Sequence, residues 1–199
     1  MSEPATYNDV TAVILAGGMG RRVGGEDKGL IDLNGKPLIA HVIDAIAPQV
    51  DSLFINANRN IEHYESFSYP VISDRKEGFY GPLAGIDAAF AATDKPYLLC
   101  VPCDTPMLPL NLLSLLYSAL QNSEQAMAIA SDAQRQHPVI NLMNRSVHQS
   151  VMDKLEQNDL KLMKWIESVG YTSVDFSKQP QLLKNLNSPE DINLLISKS

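Results

Sequence analysis

The feature that most constrains this chain is an apolar run, Val10 to Ala16, that passes directly into a glycine-rich segment. Such a run predicts a buried β-strand. Five glycines and three cationic side chains follow it: Gly17, Gly18, Gly20, Gly24, Gly25, Arg21, Arg22 and Lys28. Glycine lets backbone N–H groups turn toward a ligand without a Cβ in the way, and the fixed positive charges attract phosphate. The segment therefore predicts a phosphate-binding loop after a buried strand.

Two common glycine-loop patterns do not fit this segment. The P-loop requires a lysine after its second glycine, but Glu26 follows Gly25. The dinucleotide-binding pattern, begun at Gly18, places Val23 where its third glycine is needed for close packing. A glycine-rich surface turn with solvated arginines is the alternative, but such a turn rarely needs this many glycines beside three cations.

Predicted strands and helices alternate along most of the chain, which indicates an α/β fold with a largely parallel sheet. The predicted strands are Val10–Ala16, Ser52–Asn56, Val71–Ser73, Tyr97–Val101, Ala126–Ala130, His137–Met143 and Thr172–Phe176. Pro138 predicts that the sixth of these lies at a sheet edge, because proline cannot donate to the ladder. Ser188 and Pro189 predict the start of a final helix.

Polar residues follow the predicted strand ends, where ligands bind in parallel sheets. They are Gly17–Gly18, Asn56, Asp74 and Asp104, and we expect them to converge on one edge of the sheet. From the residues alone, Asp74 fits a solvated salt bridge with Arg75 as well as it fits nucleotide binding. Asn56 fits hydrogen bonding at the end of its own strand equally well.

Asp104 is the candidate metal ligand. Pro102 and Pro106 constrain the turn around it, which fixes the direction of its carboxylate. Mg²⁺ is commonly held by one or two protein carboxylates together with substrate phosphates and water. The alternative is an Asx-type turn in which Asp104 only caps the backbone that follows.

Neither the cysteines nor the histidines form a metal cluster. Cys100 and Cys103 make a CxxC pair, but Cys100 lies inside an apolar strand, where cysteine behaves as a small hydrophobic residue. A structural zinc site would need more ligands than this pair supplies. The histidines are scattered through the sequence, at His41, His63, His137 and His148.

Composition limits the class of protein. A length of 199 residues suits one domain, spanning residues 1–199. The net charge of −7 and the lack of a basic run argue against nucleic-acid binding, although a local basic loop can still hold a nucleotide. No apolar stretch reaches the roughly 18 residues of a membrane span, and the polar N-terminus does not look like a signal peptide. We therefore expect a cytosolic protein.

The loop itself, Leu15-Ala-Gly-Gly-x-x-Arg-Arg-x-Gly-Gly-x-Asp-Lys-Gly29, resembles the signature loop of nucleotidyltransferases, and most closely that of the molybdenum cofactor guanylyltransferases. Further motifs extend the resemblance over nearly the whole chain: Asn34-Gly-Lys-Pro-Leu38, Asn56-Ala-Asn-Arg59, Gly81-Pro-Leu-Ala-Gly85, Pro102-Cys-Asp-Thr-Pro106 and Asn185-x-Asn187-Ser-Pro189. The pairs Met19-Gly20 and Phe79-Tyr80 depart from the family pattern.

The resemblance implies a three-layer α/β/α, Rossmann-like nucleotidyltransferase fold with a mostly parallel sheet and an antiparallel strand late in the chain. It implies transfer of GMP from GTP to the terminal phosphate of Mo-molybdopterin, with release of pyrophosphate and with Mg²⁺ as cofactor. Implied partners, besides GTP and Mo-molybdopterin, are other molybdenum cofactor biosynthesis proteins or apo-molybdoenzyme chaperones.

The resemblance also implies roles for individual residues. Lys28, Arg22 and Asp104 would be catalytic, and Asp104 would hold Mg²⁺. The implied nucleotide-binding residues are Leu15, Ala16, Gly17, Gly18, Lys28, Asn56, Asp74 and Asp104.

Three other functions remain open at this point. A cytidylyltransferase acting on the same pterin or on a sugar phosphate is the nearest, but the Gly17-Gly18 pair disfavours it because related cytidylyltransferases tend to carry Ala-Gly there. A non-catalytic nucleotide-binding regulator would not need Asp104. A thiol oxidoreductase would use Cys100 and Cys103.

Overall fold

The computed structural model describes residues 6–18, 27–186 and 191. Residues 19–26 of the glycine loop, with Arg22, lie outside the described residues, as do Asn187 and the helix start predicted at Ser188. Within the described residues, no helix has the length and apolar character needed to cross a bilayer.

The described strands form one seven-stranded sheet and one small hairpin. The sheet strands are β1 (Tyr7–Leu15), β4 (Val50–Asn56), β5 (Val71–Ile72), β6 (Tyr97–Pro102), β7 (Met127–Ser131), β8 (Gln136–Asn144) and β9 (Thr172–Asp175), and the hairpin is β2 (Asp32–Leu33) with β3 (Lys36–Pro37). Their order in the sheet is β5-β4-β1-β6-β8-β7-β9. Neighbouring pairs among β5, β4, β1 and β6 are parallel, so their carboxyl ends meet at one edge.

Helices cover both faces of this sheet. They are α1 (Leu38–Ile46), α2 (Ile61–Glu65), α3 (Pro82–Ala92), α4 (Leu112–Gln121), α5 (His148–Glu156) and α6 (Leu162–Val169). Side chains alternate along β1, so Ala12 and Ile14 pack on one face with α1 and α4, while Val13 packs on the other with α3, α5 and α6. The result is the three-layer α/β/α fold with a mostly parallel sheet that the family resemblance implies.

Among the described strands of this sheet, β8 runs antiparallel to both of its neighbours, which confirms the antiparallel strand expected late in the chain. A short turn joins β7 directly to β8, and a connection that short permits only antiparallel pairing.

The prediction that this strand lies at an edge is wrong, because β8 is inserted between β6 and β7. Pairing with β6 runs from Asn144 to Asn141 and does not reach Pro138. Pairing with β7 shifts register between the partners of Asn141 and His137. Pro138 therefore lies in an irregular stretch, where its missing N–H costs no regular ladder bond.

Candidate functional site

A cavity of about 410 Å³ lies at the carboxyl ends of the parallel strands, a volume within the usual range for small-molecule sites. The structure brings together there the four groups predicted at strand ends. Gly17 and Gly18 follow β1, Asn56 ends β4, Asp74 follows β5, and Asp104 follows β6; all of them line the cavity. Leu15 lines the same cavity, and Ala16 continues β1 by donating its N–H to the carbonyl of Asn56 over 2.8 Å.

Asp104 is held on three sides. Its Oδ2 lies 3.2 Å from the ammonium of Lys28, and its Oδ1 accepts a hydrogen bond of 2.7 Å from Nδ2 of Asn185. Its carbonyl accepts a bond of 2.8 Å from the N–H of Leu186. Because the carboxylate is buried and charge-paired, its orientation toward the cavity is fixed in advance of ligand binding.

Asp74 is oriented by two amide side chains. Nδ2 of Asn56 donates to its Oδ1 over 2.9 Å, and Nδ2 of Asn58 donates to its Oδ2 over 2.8 Å. Asn58 also accepts from the N–H of Asp74, over 2.9 Å. Each carboxylate oxygen retains a further acceptor site, so Asp74 can still accept hydrogen bonds from a ligand.

The amide of Asn56 depends on a glycine in α3. A Cβ at Gly85 would clash with Oδ1 of Asn56 and would lie 2.7 Å from Cδ2 of Leu15. No larger residue fits without displacing these side chains. This contact gives a structural reason for the second glycine of the Gly81–Gly85 motif.

Part of the cavity lining is apolar. It includes Phe79 and Tyr80 of the loop before α3, Pro82 at the start of α3, Pro102 at the end of β6, and Val139 of β8. The ammonium of Lys76 lies 4.9 Å from the ring centroid of Tyr80. A lining that contains both polar and apolar residues suits a ligand with a charged phosphate part and a flat ring part.

The carboxylates of the cavity fit a metal that takes most of its ligands from elsewhere. In the described part of the chain, no group of three or more His, Cys, Asp or Glu side chains is arranged to hold an ion. A fully protein-coordinated site is therefore absent there. Mg²⁺, which uses one or two carboxylates and completes its shell with phosphate oxygens and water, suits Asp104.

The two cysteines do not form a redox site. Both are buried and free, and they pack in core clusters on opposite faces of the sheet. Burial raises the pKa of both thiols above the ordinary value, which disfavours the thiolate that redox chemistry requires.

His137 stabilises the turn between β7 and β8. Its Nε2 lies 2.7 Å from Oδ2 of Asp132, and the same carboxylate accepts from the N–H groups of Gln134 and Arg135 over 2.7 and 2.9 Å. The hydrogen bond from His137 lowers the pKa of Asp132 to about 2.

Two residues of the site carry contacts that the sequence did not predict. Asn58 lies in the bend after β4, and the Asn56-Ala-Asn-Arg59 family motif was the available signal. Asn185 lies 81 residues from Asp104. No local pattern connects the two, so only the family motif singled out Asn185.

Comparison with known proteins agrees with this geometry. Residues 12–173 match the MobA-like NTP transferase domain. Proteins of Shewanella putrefaciens and Shewanella loihica, both named molybdenum cofactor guanylyltransferase, are each 46% identical to this chain. The alignment with the first covers 92% of this chain and 93% of that relative. The alignment with the second covers 91% of this chain and 92% of that relative.

The fold also matches a solved structure. Molybdopterin-guanine dinucleotide biosynthesis protein A from Archaeoglobus fulgidus superimposes with a TM-score of 0.78 at 23% identity, covering 95% of this chain and all of that one. Given the sequence matches over nine-tenths of its length, the chain belongs to the molybdenum cofactor guanylyltransferases, a group of nucleotidyltransferases with the MobA-like NTP transferase domain.

Proposed function

We propose that this chain transfers GMP from GTP to the terminal phosphate of Mo-molybdopterin and releases pyrophosphate. The observation that carries the proposal is the ion pair between Lys28 and Asp104, whose charged atoms lie 3.2 Å apart. Asp104 lines the same cavity as Gly18. A cation and a carboxylate next to a glycine loop supply the two charges that a nucleoside triphosphate with its metal requires. The names of the relatives supply the identity of nucleotide and acceptor.

The reaction needs no protein nucleophile and no general base. The acceptor phosphate is already anionic, so one of its oxygens attacks the α-phosphorus of GTP in line. The new bond is P–O between acceptor and GMP, and the bond that breaks is the one between the α- and β-phosphates. Catalysis then consists of positioning the reactants and neutralising developing charge.

Each side chain has a separate part in that arrangement. Asp104 would hold Mg²⁺, which would supply charge neutralisation for the phosphate groups. Lys28 and the backbone of Ala16 to Gly18 would hold the triphosphate, with Arg22 from the undescribed part of the loop. Asn56 and Asp74 would bind the nucleoside, and Asp74 is preset for this by its two amide partners.

A thermal-shift panel of GTP, CTP, ATP and UTP, each with and without Mg²⁺, tests nucleotide and metal together. GTP with Mg²⁺ should stabilise most, by about 2.7 kcal/mol at a hundredfold excess over Kd. A larger shift with CTP would indicate a cytidylyltransferase instead. No shift with any nucleotide would reject the cavity as a nucleotide site.

Turnover is measured separately, as pyrophosphate release that depends on added Mo-molybdopterin. Release with GTP and acceptor together supports the proposal. Tight GTP binding without acceptor-dependent release would indicate a nucleotide-binding regulator rather than an enzyme.

A further inference from the structure

Asp27, the residue before Lys28, is a buried carboxylate that does not belong to the described lining of the cavity. Its side chain is only 3% exposed. Oδ1 accepts a short hydrogen bond from the hydroxyl of Tyr64, and Oδ2 accepts one of 3.1 Å from Nδ2 of Asn60. Nε of Arg59 lies 3.5 Å from the same Oδ2. A buried charge with this many partners serves to fix the local structure rather than to contact solvent.

The same arginine also reaches the other end of the glycine loop. Nη2 of Arg59 donates to the carbonyl of Gly18 over 3.1 Å. Gly18 is the last described residue at the start of the loop, and Asp27 is the first at its end. One guanidinium therefore contacts both ends of the segment that we assign to the triphosphate.

The partners of Asp27 are themselves held firmly. Asn60 adopts a left-handed backbone (φ 52°) directly before α2, a conformation in which asparagine is favoured over most residues. Tyr64 is fully buried, and burial raises its pKa well above the ordinary value, so its hydroxyl remains a donor. A Cβ at Gly29 would lie 2.7 Å from that hydroxyl, so the tyrosine also packs directly against the backbone after Lys28.

We propose that Asp27 is a positioning residue: with Arg59, Asn60 and Tyr64 it forms a loop clamp that joins the two ends of the glycine loop and directs Lys28 toward the phosphates and Asp104. This inference rests on the proposed function, because it takes Lys28 as a catalytic group. None of the four clamp side chains belongs to the described lining of the cavity. The clamp acts by limiting the positions that the lysine can adopt, and so affects the rate of transfer more than the binding of GTP.

Tyr64→Phe and Asp27→Asn test the clamp in the full chain. Tyr64→Phe removes one oxygen and should lower kcat on the order of tenfold, with GTP affinity changed by less than about threefold. Asp27→Asn also removes the ion pair and should lower kcat further. The matched control is Tyr117→Phe, because the hydroxyl of Tyr117 donates to Oδ2 of Asp9 over 2.6 Å in a similar tyrosine–aspartate pair away from the cavity. Its kcat should be unchanged.

A double-mutant cycle with Lys28→Ala separates positioning from general loss of structure. If the clamp acts through Lys28, then Tyr64→Phe and Asp27→Asn should have little further effect on kcat in the Lys28→Ala background. Equal losses in both backgrounds would overturn the inference, as would a wild-type kcat in Tyr64→Phe. If Asp27→Asn fails to fold, Tyr64→Phe completes the same cycle. Absence of GMP transfer by the wild-type chain would instead reject the proposed function, so the two failures are distinguishable.

Discussion

Lys28 is the residue on which the proposed chemistry depends most directly. A lysine that is merely exposed to solvent on a surface turn would contribute almost nothing to turnover. A lysine that follows the charge moving onto pyrophosphate stabilises the transition state more than the ground state.

We therefore expect Lys28→Ala to lower kcat by a factor on the order of 10²–10³, as for loss of one preorganised charge-stabilising group. GTP affinity should fall by a smaller factor. Single-turnover kinetics and GTP titration of the same variant measure the two effects. Lys36→Ala is the control, because Lys36 pairs with the exposed Asp44 outside the cavity. An unchanged kcat with weakened GTP binding would make Lys28 a ground-state anchor only.

Asp104→Asn separates the charge of the carboxylate from its shape. The amide oxygen of asparagine can still accept the hydrogen bond from Asn185, but the charge that attracts Mg²⁺ is lost. We expect most activity to disappear and excess Mg²⁺ not to restore it. A Mg²⁺ titration of turnover, with Asp51→Asn as the surface control, measures this. Near-normal turnover at saturating Mg²⁺ would contradict a metal-binding role.

At the scale of single elements, the placement of the CxxC pair around β6 argues against a chemical role for the two cysteines. Cys100 points to one face of the sheet, and Cys103, after the strand, packs on the other. Exchange of both cysteines for serine should leave kcat nearly unchanged. It should lower stability by about 1–3 kcal/mol for each buried hydroxyl without a partner. Denaturant unfolding measures the stability of the double variant, and steady-state kinetics measure its kcat. The double Cys→Ala variant, which introduces no hydroxyl, is the comparison. Loss of turnover in a well-folded double variant would show that the pair has a chemical role.

The turn between β7 and β8 gives a prediction about pH. The pKa of Asp132 is lowered from 3.8 to about 2, so its ionised form is stabilised in the folded state. The contribution is present above about pH 4 and is lost as the pH falls through about 2. Asp132→Asn should therefore be less stable than wild type at neutral pH, and the difference should shrink across that acid range. Chemical unfolding of both proteins at several pH values measures this difference in stability. A difference that does not change with pH would contradict a stabilising role for the ionised Asp132 and its hydrogen bond from His137.

Individual elements also show what the sequence could predict. Strand β1 was predictable because both of its faces are buried, so its apolar run is unbroken. The position of β8 inside the sheet was not predictable from the sequence. The rule that places Pro138 at an edge assumes a regular ladder of hydrogen bonds, whereas Pro138 is accommodated by a register shift between β8 and its partner strand β7. The cluster of groups at the cavity followed from strand ends alone. The contact between Asn185 and Asp104 did not, because local patterns carry no information about contacts between distant segments.

At the scale of the whole molecule, an acidic protein is proposed to bind two anionic substrates. The net charge is −7, so the overall field repels triphosphates and local geometry must overcome it. Lys28, which pairs with Asp104 at the carboxyl ends of the parallel strands, is placed to supply local attraction there. The carboxylates of the cavity are paired with Lys28 or with amides, which reduces their repulsion of phosphate.

The contact from Asn185 to Asp104 has a consequence for the newly made chain. The ribosome produces Asp104 and its strand 81 residues before Asn185, and Leu186 follows to pack against Leu33 and Leu38. A nascent chain that has formed β1, β4 and β6 therefore still lacks two of the groups that hold Asp104, the amide of Asn185 and the N–H of Leu186. A chain truncated before Asn185 would therefore contain the glycine loop but lack the amide that orients the Asp104 carboxylate.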